Sequence, residues 1–344
     1  MIGVSDPAQT PDSGAAGPPR TPGTSARARG GPGRRWLKLG VQLALTVVVT
    51  VFIVDRLGPG LRTLANTAPQ QIELRWGWIA ASCALLLAGY FFSAWTWGRM
   101  VRDLGGPDVP ARDAIRIYMV ANLGRYLPGK LWQIAGLAYL ARAHGVPAPI
   151  ATAAAVVGQA VALAGAMLIG LVALGSAAPE LARWAPLAVV ATLAIVTVVT
   201  VPAIFRPLLR LWLRFVPGET PEEIPIGASE GLRWLLLFTL NWAGYALAFS
   251  LLVRGLSLPG NPLDVGPAFA ASYVMGYLVL FAPAGIGIRE ATILTFLSPI
   301  MGPSGAALIA LIARVWTTLV EVIPAGAFWL AGVGRKRNAA VGAS

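Results

Sequence analysis

The chain has 344 residues, 56% of them hydrophobic and only 12% charged, with a mean hydropathy of +0.68. Soluble globular domains carry about 25% charged residues, so the supply here is half of what a wetted surface needs, and the apolar residues are gathered into runs. A net charge of +12 raises nucleic acid as a partner. The basic residues nevertheless sit between apolar runs and in the tails, not along one soluble face, so no nucleic-acid partner is expected. The positive-inside bias accounts for that distribution, and attraction to anionic lipid headgroups follows from it. Cys83 is the only cysteine and His144 the only histidine. An intrachain disulfide is therefore excluded, and a His/Cys metal site or a Cys–His or Ser–His pair has too few residues to form. No metal or other cofactor is expected.

Residues 1–35 hold Pro7, Pro11, Pro18, Pro19, Pro22 and Pro32 among Gly, Ser, Thr and Ala, without apolar periodicity. They read as a disordered basic cytoplasmic tail. Arg34-Arg35-Trp36-Leu37-Lys38 has the look of a twin-arginine export signal. No small-residue cleavage site follows Leu39–Val54, so the basic cluster reads as a positive-inside anchor. Apolar runs at 36–54, 76–98, 148–174, 184–205, 232–253 and 304–331 each suit a helix crossing about 30 Å of hydrocarbon. A tail at 332–344 closes the chain.

Two segments do not fit that template. The run at 112–142 is less apolar and is interrupted by Pro128-Gly129; the run at 267–300 is too long for one span and carries Pro283, Gly285 and Gly287. In both, a tyrosine (Tyr118, Tyr273) precedes the central proline by ten positions. Proline removes a backbone donor and clashes with the preceding turn, while glycine permits reversal, so each segment predicts a helix–break–helix hairpin that re-enters the membrane. A kinked span, or two short spans, is the alternative. The expected fold is all-α: a polytopic membrane bundle of about six full spans plus two re-entrant hairpins, over 36–331. Each half then reads span, span, hairpin, span in opposite orientation, which is an inverted repeat. Arg99, Arg102, Arg112, Arg116 and Arg142, then Arg206, Arg210 and Arg214, and finally Arg335-Lys336-Arg337 fall on the face that this topology makes cytoplasmic. Both termini are expected inside the cell membrane.

Helices starting after Pro128-Gly129 and around Gly287 would aim free N–H groups and a partial positive charge into the interior. Arg125 and Lys130 flank the first break, and Arg289-Glu290 opens the helix after the second. Basic groups beside exposed amides make a phosphate cradle; the competing reading is a topological rim for Arg125 and Lys130 and a structural ion pair for Arg289 and Glu290. Arg314 and Glu321, seven residues apart on one helix face, lie deep in the last apolar run and must face the bundle interior. Either Arg314 pairs with Glu290, or Arg289 with Glu321. Gln159, Asn241, Tyr245 and Thr317-Thr318 read as interhelical hydrogen-bonding residues, and Trp76, Trp78, Trp95, Trp97 and Trp329 as an aromatic belt.

At Leu123-Gly124-Arg125-Tyr126-Leu127-Pro128-Gly129-Lys130 and at Pro283-Ala284-Gly285-Ile286-Gly287-Ile288-Arg289-Glu290-Ala291, the chain resembles the lysylphosphatidylglycerol synthase transmembrane (flippase-like) family. That family includes the membrane half of the bacterial multiple peptide resistance factor. The resemblance covers roughly 36–331 and implies translocation of a lipid, in known members an aminoacylated phospholipid. It places Arg125, Pro128, Gly129, Lys130, Gly287, Arg289 and Glu290 on motif positions, with Gly285 inside the second motif. Trp132-Gln133 stands where the family commonly has Gly-Glu, and only Gln159 where it commonly has a charged cluster. Both departures leave the headgroup open. The sequence ends shortly after the last span, so the family's soluble aminoacyl-transferase activity, and enzymatic activity generally, is not expected. The expected function is movement of an anionic lipid or lipid-linked headgroup between leaflets. The alternative is a non-catalytic accessory or scaffold subunit for a separate cell-envelope glycosyltransferase or lipid-modifying enzyme.

Overall fold

Proline, glycine and hydropathy decide where helices start and stop in this chain. The structure, a computed structural model, describes residues 73–126, 131–175, 182–216, 226–279 and 283–341. Both expected tails fall wholly or largely outside the described side chains, and the first apolar run, Pro128, Gly129 and Lys130 lie outside the described residues altogether. Among the described residues the regular structure is entirely helical. In chain order, α1 is Trp76–Asp103, α2 Ala111–Asn122, α3 Leu131–Ala141, α4 Ala148–Gly175 and α5 Ala185–Thr200. Then come α6 (Pro202–Leu213), α7 (Ala228–Gly255), α8 (Pro262–Leu278) and α9 (Ile288–Val341). Short 3-10 turns at Leu123–Tyr126 and Pro283–Gly285 stand at the two expected breaks.

Four of these helices are long and apolar enough to cross a membrane, or five if the bent pair α5–α6 counts as one span. The sequence reading took 184–205 as one continuous span. The chain instead bends by 78° there, because Val201 is extended (φ −97°, ψ 107°) ahead of Pro202. A residue before proline is pushed out of the helical region, and proline then starts the next helix. Phe205, Leu209 and Leu213 bury one side of α6, while Arg206 donates to the carbonyl of Ile226. At the other end, the second arm of the 267–300 segment and the last span join in one long helix kinked at Gly302 (φ 75°).

Helices α1 and α7 pack as an antiparallel pair. Its contacts run from Arg75 against Gly255, through Ser82 donating to the Ala248 carbonyl at 2.6 Å, to an ion pair between Asp103 and Arg233. Close approach replaces hydrophobic driving force between helices in lipid. A Cβ on Gly165 of α4 would stand 2.9 Å from the Thr239 backbone nitrogen of α7, so only glycine fits that crossing. Leu187, Val190, Leu236, Leu240 and Ile323 are all exposed, as residues facing acyl chains would be.

Both interrupted segments fold back on themselves. In the first, Asp113 faces His144 at 3.8 Å, Ala121 faces Gly136, and Asn122 accepts from Gln133 at 2.8 Å, so α2 and α3 run antiparallel. In the second, Gly260 faces Ile300 and Gly276 faces Gly285, which makes α8 and the 288–301 part of α9 antiparallel. The two 3-10 turns at the tips lie against each other.

Candidate functional site

The sequence builds the first tip from a polar stripe. Asn122, Arg125 and Tyr126 occupy positions i, i+3 and i+4, which share one face of a helical turn. All three converge on Glu321 of α9, whose side chain is completely buried. Asn122 Nδ2 donates to Glu321 Oε1, Arg125 Nη1 donates to the same oxygen at 2.7 Å, and Tyr126 donates to Oε2 at 2.6 Å. A buried carboxylate with a cationic partner and two further donors is fully satisfied.

The second tip is made differently. Ala284, Gly285 and Gly287 take positive φ (48°, 69° and 84°), and the turn ends where Glu290 Oε2 accepts from the Gly287 N–H at 2.7 Å. This caps the first turn of α9 with its own carboxylate. Arg314, from the next stretch of the same helix, donates to the Ala284 carbonyl at 3.1 Å and stands 3.9 Å from Glu290. Arg289 turns the other way. It is 8% exposed, its guanidinium lies 5.2 Å from the Phe269 ring centroid and 5.9 Å from that of Tyr273, and it forms no ion pair with any described carboxylate. Room for its stem comes from Gly276 and Gly285: a Cβ on Gly276 would fall 2.5 Å from Arg289 Cγ.

Between the tips and helices α1, α4, α7 and α8 lies a cavity of about 420 Å³. Arg125 and Arg289 are the only charged residues on its described lining, and both hairpins contribute to its wall. Tyr90, Tyr118 and Tyr273 add hydroxyls, and Gln133 and Gln159 add carboxamides. Of the expected site residues, Arg125, Gly285 and Arg289 line this cavity. Arg314 and Glu290 brace the second tip from behind, Glu321 holds the first tip without reaching the cavity, and Gly287 forms the turn. Of the two pairings left open by the sequence, Arg314 with Glu290 is formed; Arg289 with Glu321 is not, because Arg125 occupies Glu321. Sequence reasoning missed Asn122, Tyr126 and the tyrosine lining. The i, i+3, i+4 stripe before Pro128 was the available signal for the first two.

The sequence matches the family described as the lysylphosphatidylglycerol synthase TM region over residues 38–325. The chain belongs to that family. Comparison with curated proteins gives no match. Membership in the lysylphosphatidylglycerol synthase TM family, with the apolar helices above, makes this a multi-pass membrane protein of lipid-related function.

Proposed function

We propose that the chain is a non-enzymatic lipid flippase of the cell membrane that moves an anionic lipid headgroup between leaflets through the cavity at the hairpin tips. The observation that carries this reading is Arg289, a buried cation without a carboxylate partner among the described residues, at the wall of that cavity. A charge at membrane depth costs about 3 kcal/mol or more unless it is paired or hydrated. Stacking on Phe269 and Tyr273 offsets part of that cost, and an incoming phosphate would offset the rest.

The geometry also favours re-entrant hairpins. The arms α2 and α3 have 12 and 11 residues, so each extends only about 18 Å, well short of about 30 Å of hydrocarbon. Irregular backbone at membrane depth is tolerable where it lines a cavity, and Arg125 of the first tip and Ala284 and Gly285 of the second are on the lining. The antiparallel pairing of α1 with α7, each followed by a hairpin, supports an inverted repeat, with both termini on the cytoplasmic side.

The test is reduction of a fluorescent headgroup in reconstituted vesicles. Phosphatidylglycerol should become accessible faster with the protein than without it, phosphatidylcholine should not, and Arg289→Gln should remove the difference. Equal rates for the two lipids, or an unchanged rate in the variant, would overturn the reading.

A further inference from the structure

The cavity carries more information than its single unpaired cation, because its neutral lining is equally specific. Its described charged residues are Arg125 and Arg289. Arg125 is neutralised by Glu321 at 2.7 Å. Among the described lining residues one positive charge therefore remains, and no described carboxylate lines the wall. A phosphodiester carries one negative charge, whereas a phosphomonoester carries about −1.5 to −2 at neutral pH. An aminoacyl or other cationic headgroup would find Arg289 opposing it and no anion to meet.

The cavity that Arg289 lines also has neutral hydrogen-bonding side chains with capacity to spare. Gln159 Nε2 of α4 donates to the Tyr273 hydroxyl of α8 at 2.7 Å. That bond leaves the Tyr273 O–H free to donate and Gln159 Oε1 free to accept. Gln133 Nε2 is spent on Asn122 Oδ1 at 2.8 Å, which likewise leaves its Oε1 as an acceptor. Tyr90 and Tyr118 line the same space. Uncharged donors and acceptors on one cavity lining, adjacent at Gln159 and Tyr273, match groups that both donate and accept, which is the property of an alcohol. Choline methyls or acyl chains would leave each of them unmet. Tyr273 joins the two features, since its ring lies under the Arg289 guanidinium and its hydroxyl holds Gln159.

We infer that the occupant is a phosphodiester lipid with a neutral polyhydroxyl headgroup (a glycerol, inositol or sugar unit), with its phosphate at Arg289 and its hydroxyls at Tyr273, Gln159 and Gln133. This rests on the flippase reading and narrows it to one substrate class. A volume of about 420 Å³ is within the range of sites that enclose a small ligand.

The experiment is a competition panel on the detergent-purified full chain, in which unlabelled lipids displace fluorescent phosphatidylglycerol. Phosphatidylinositol and phosphatidylglycerol should compete about tenfold better than phosphatidic acid, with lysylphosphatidylglycerol and phosphatidylcholine weaker still. Soluble glycerol 3-phosphate should not compete; displacement by it would move the occupant from lipids to free polyol phosphates and overturn the lipid assignment. Combining Gln159→Leu with Tyr273→Phe should lower phosphatidylinositol to the level of phosphatidic acid and leave phosphatidic acid unchanged. Should phosphatidic acid match phosphatidylinositol on the unaltered chain, the polyol assignment fails while anionic-lipid transport stands. If lysylphosphatidylglycerol competes best, the substrate class is wrong. If no anionic lipid binds at all, the flippase reading falls with it.

Discussion

The two hairpins share an architecture but use their charges in opposite ways. At the first tip Arg125 is held by Glu321, and Asn122 and Tyr126 complete the carboxylate's hydrogen bonding. At the second tip Arg289 is more deeply buried, yet it pairs with no described carboxylate and its guanidinium lies against the Phe269 and Tyr273 rings. One cation is paired within the fold; on the flippase proposal the other is left for a ligand. The stretch of α9 after Gly302 serves both tips: Glu321 fastens the first and Arg314, seven residues earlier on the same face, fastens the second.

Removing Glu321 is the harshest way to break this comparison. Glu321→Ala would leave three donors without their acceptor, Asn122 buried and Arg125 and Tyr126 partly buried, one of them charged, at a cost of roughly 3 kcal/mol. Thermal unfolding in detergent should show a large loss of Tm, partly recovered when Arg125→Ala is added, since the uncompensated charge then disappears. If Arg289→Ala costs as much stability as Glu321→Ala, the division of labour between the tips is wrong.

Arg289→Gln should have the reverse profile. Removing an unpaired buried charge should leave the Tm unchanged or raised, while transport of phosphatidylglycerol should fall by about tenfold or more. The contrast between Tm and transport sharpens the comparison more than either measurement alone. Gly276→Ala comes next. Its new Cβ would fall 2.5 Å from Arg289 Cγ and push the guanidinium off its aromatic bed. A stability loss of roughly 1–3 kcal/mol from overpacking should accompany a partial transport defect. Wild-type transport in that variant would show that the position of Arg289 does not matter.

The sequence reveals the breaks far better than the partners. Pro128-Gly129 and Pro283-Ala284-Gly285 act on their own backbone, so their effect is local and readable. The same rule applied to Pro202 predicts the bend after Val201, but the hydropathy of 184–205 runs straight through it and masked the boundary. Arg314 and Glu321 announce themselves as charges in an apolar run, because such residues must turn inward. Which cation reaches Glu321 is set by packing between segments 196 residues apart, and no local pattern distinguishes Arg125 from Arg289. The cavity was hidden for a related reason. Tyr90, Tyr118 and Tyr277 have the composition of ordinary packing residues, and only the meeting of the hairpins with α1, α4 and α7 shows that they face a shared space.

The smallest expected effect tests how the second tip is braced. Arg314 donates to the Ala284 carbonyl at 3.1 Å, and Ala284 is a non-glycine residue at φ 48° in the turn. Its approach to Glu290 at 3.9 Å is too long for a direct hydrogen bond, and Glu290 is already engaged by the Gly287 N–H. Arg314→Lys keeps the charge and most of the donor's reach and removes only the guanidinium fork. It should therefore lower stability by about 1 kcal/mol and leave the Tm close to wild type. Arg314→Ala removes the donor as well and should slow transport by loosening the turn that carries Arg289, without changing which headgroup is preferred. A change in headgroup preference in either variant would place Arg314 in direct contact with the lipid and dissolve the separation between bracing and binding at this tip.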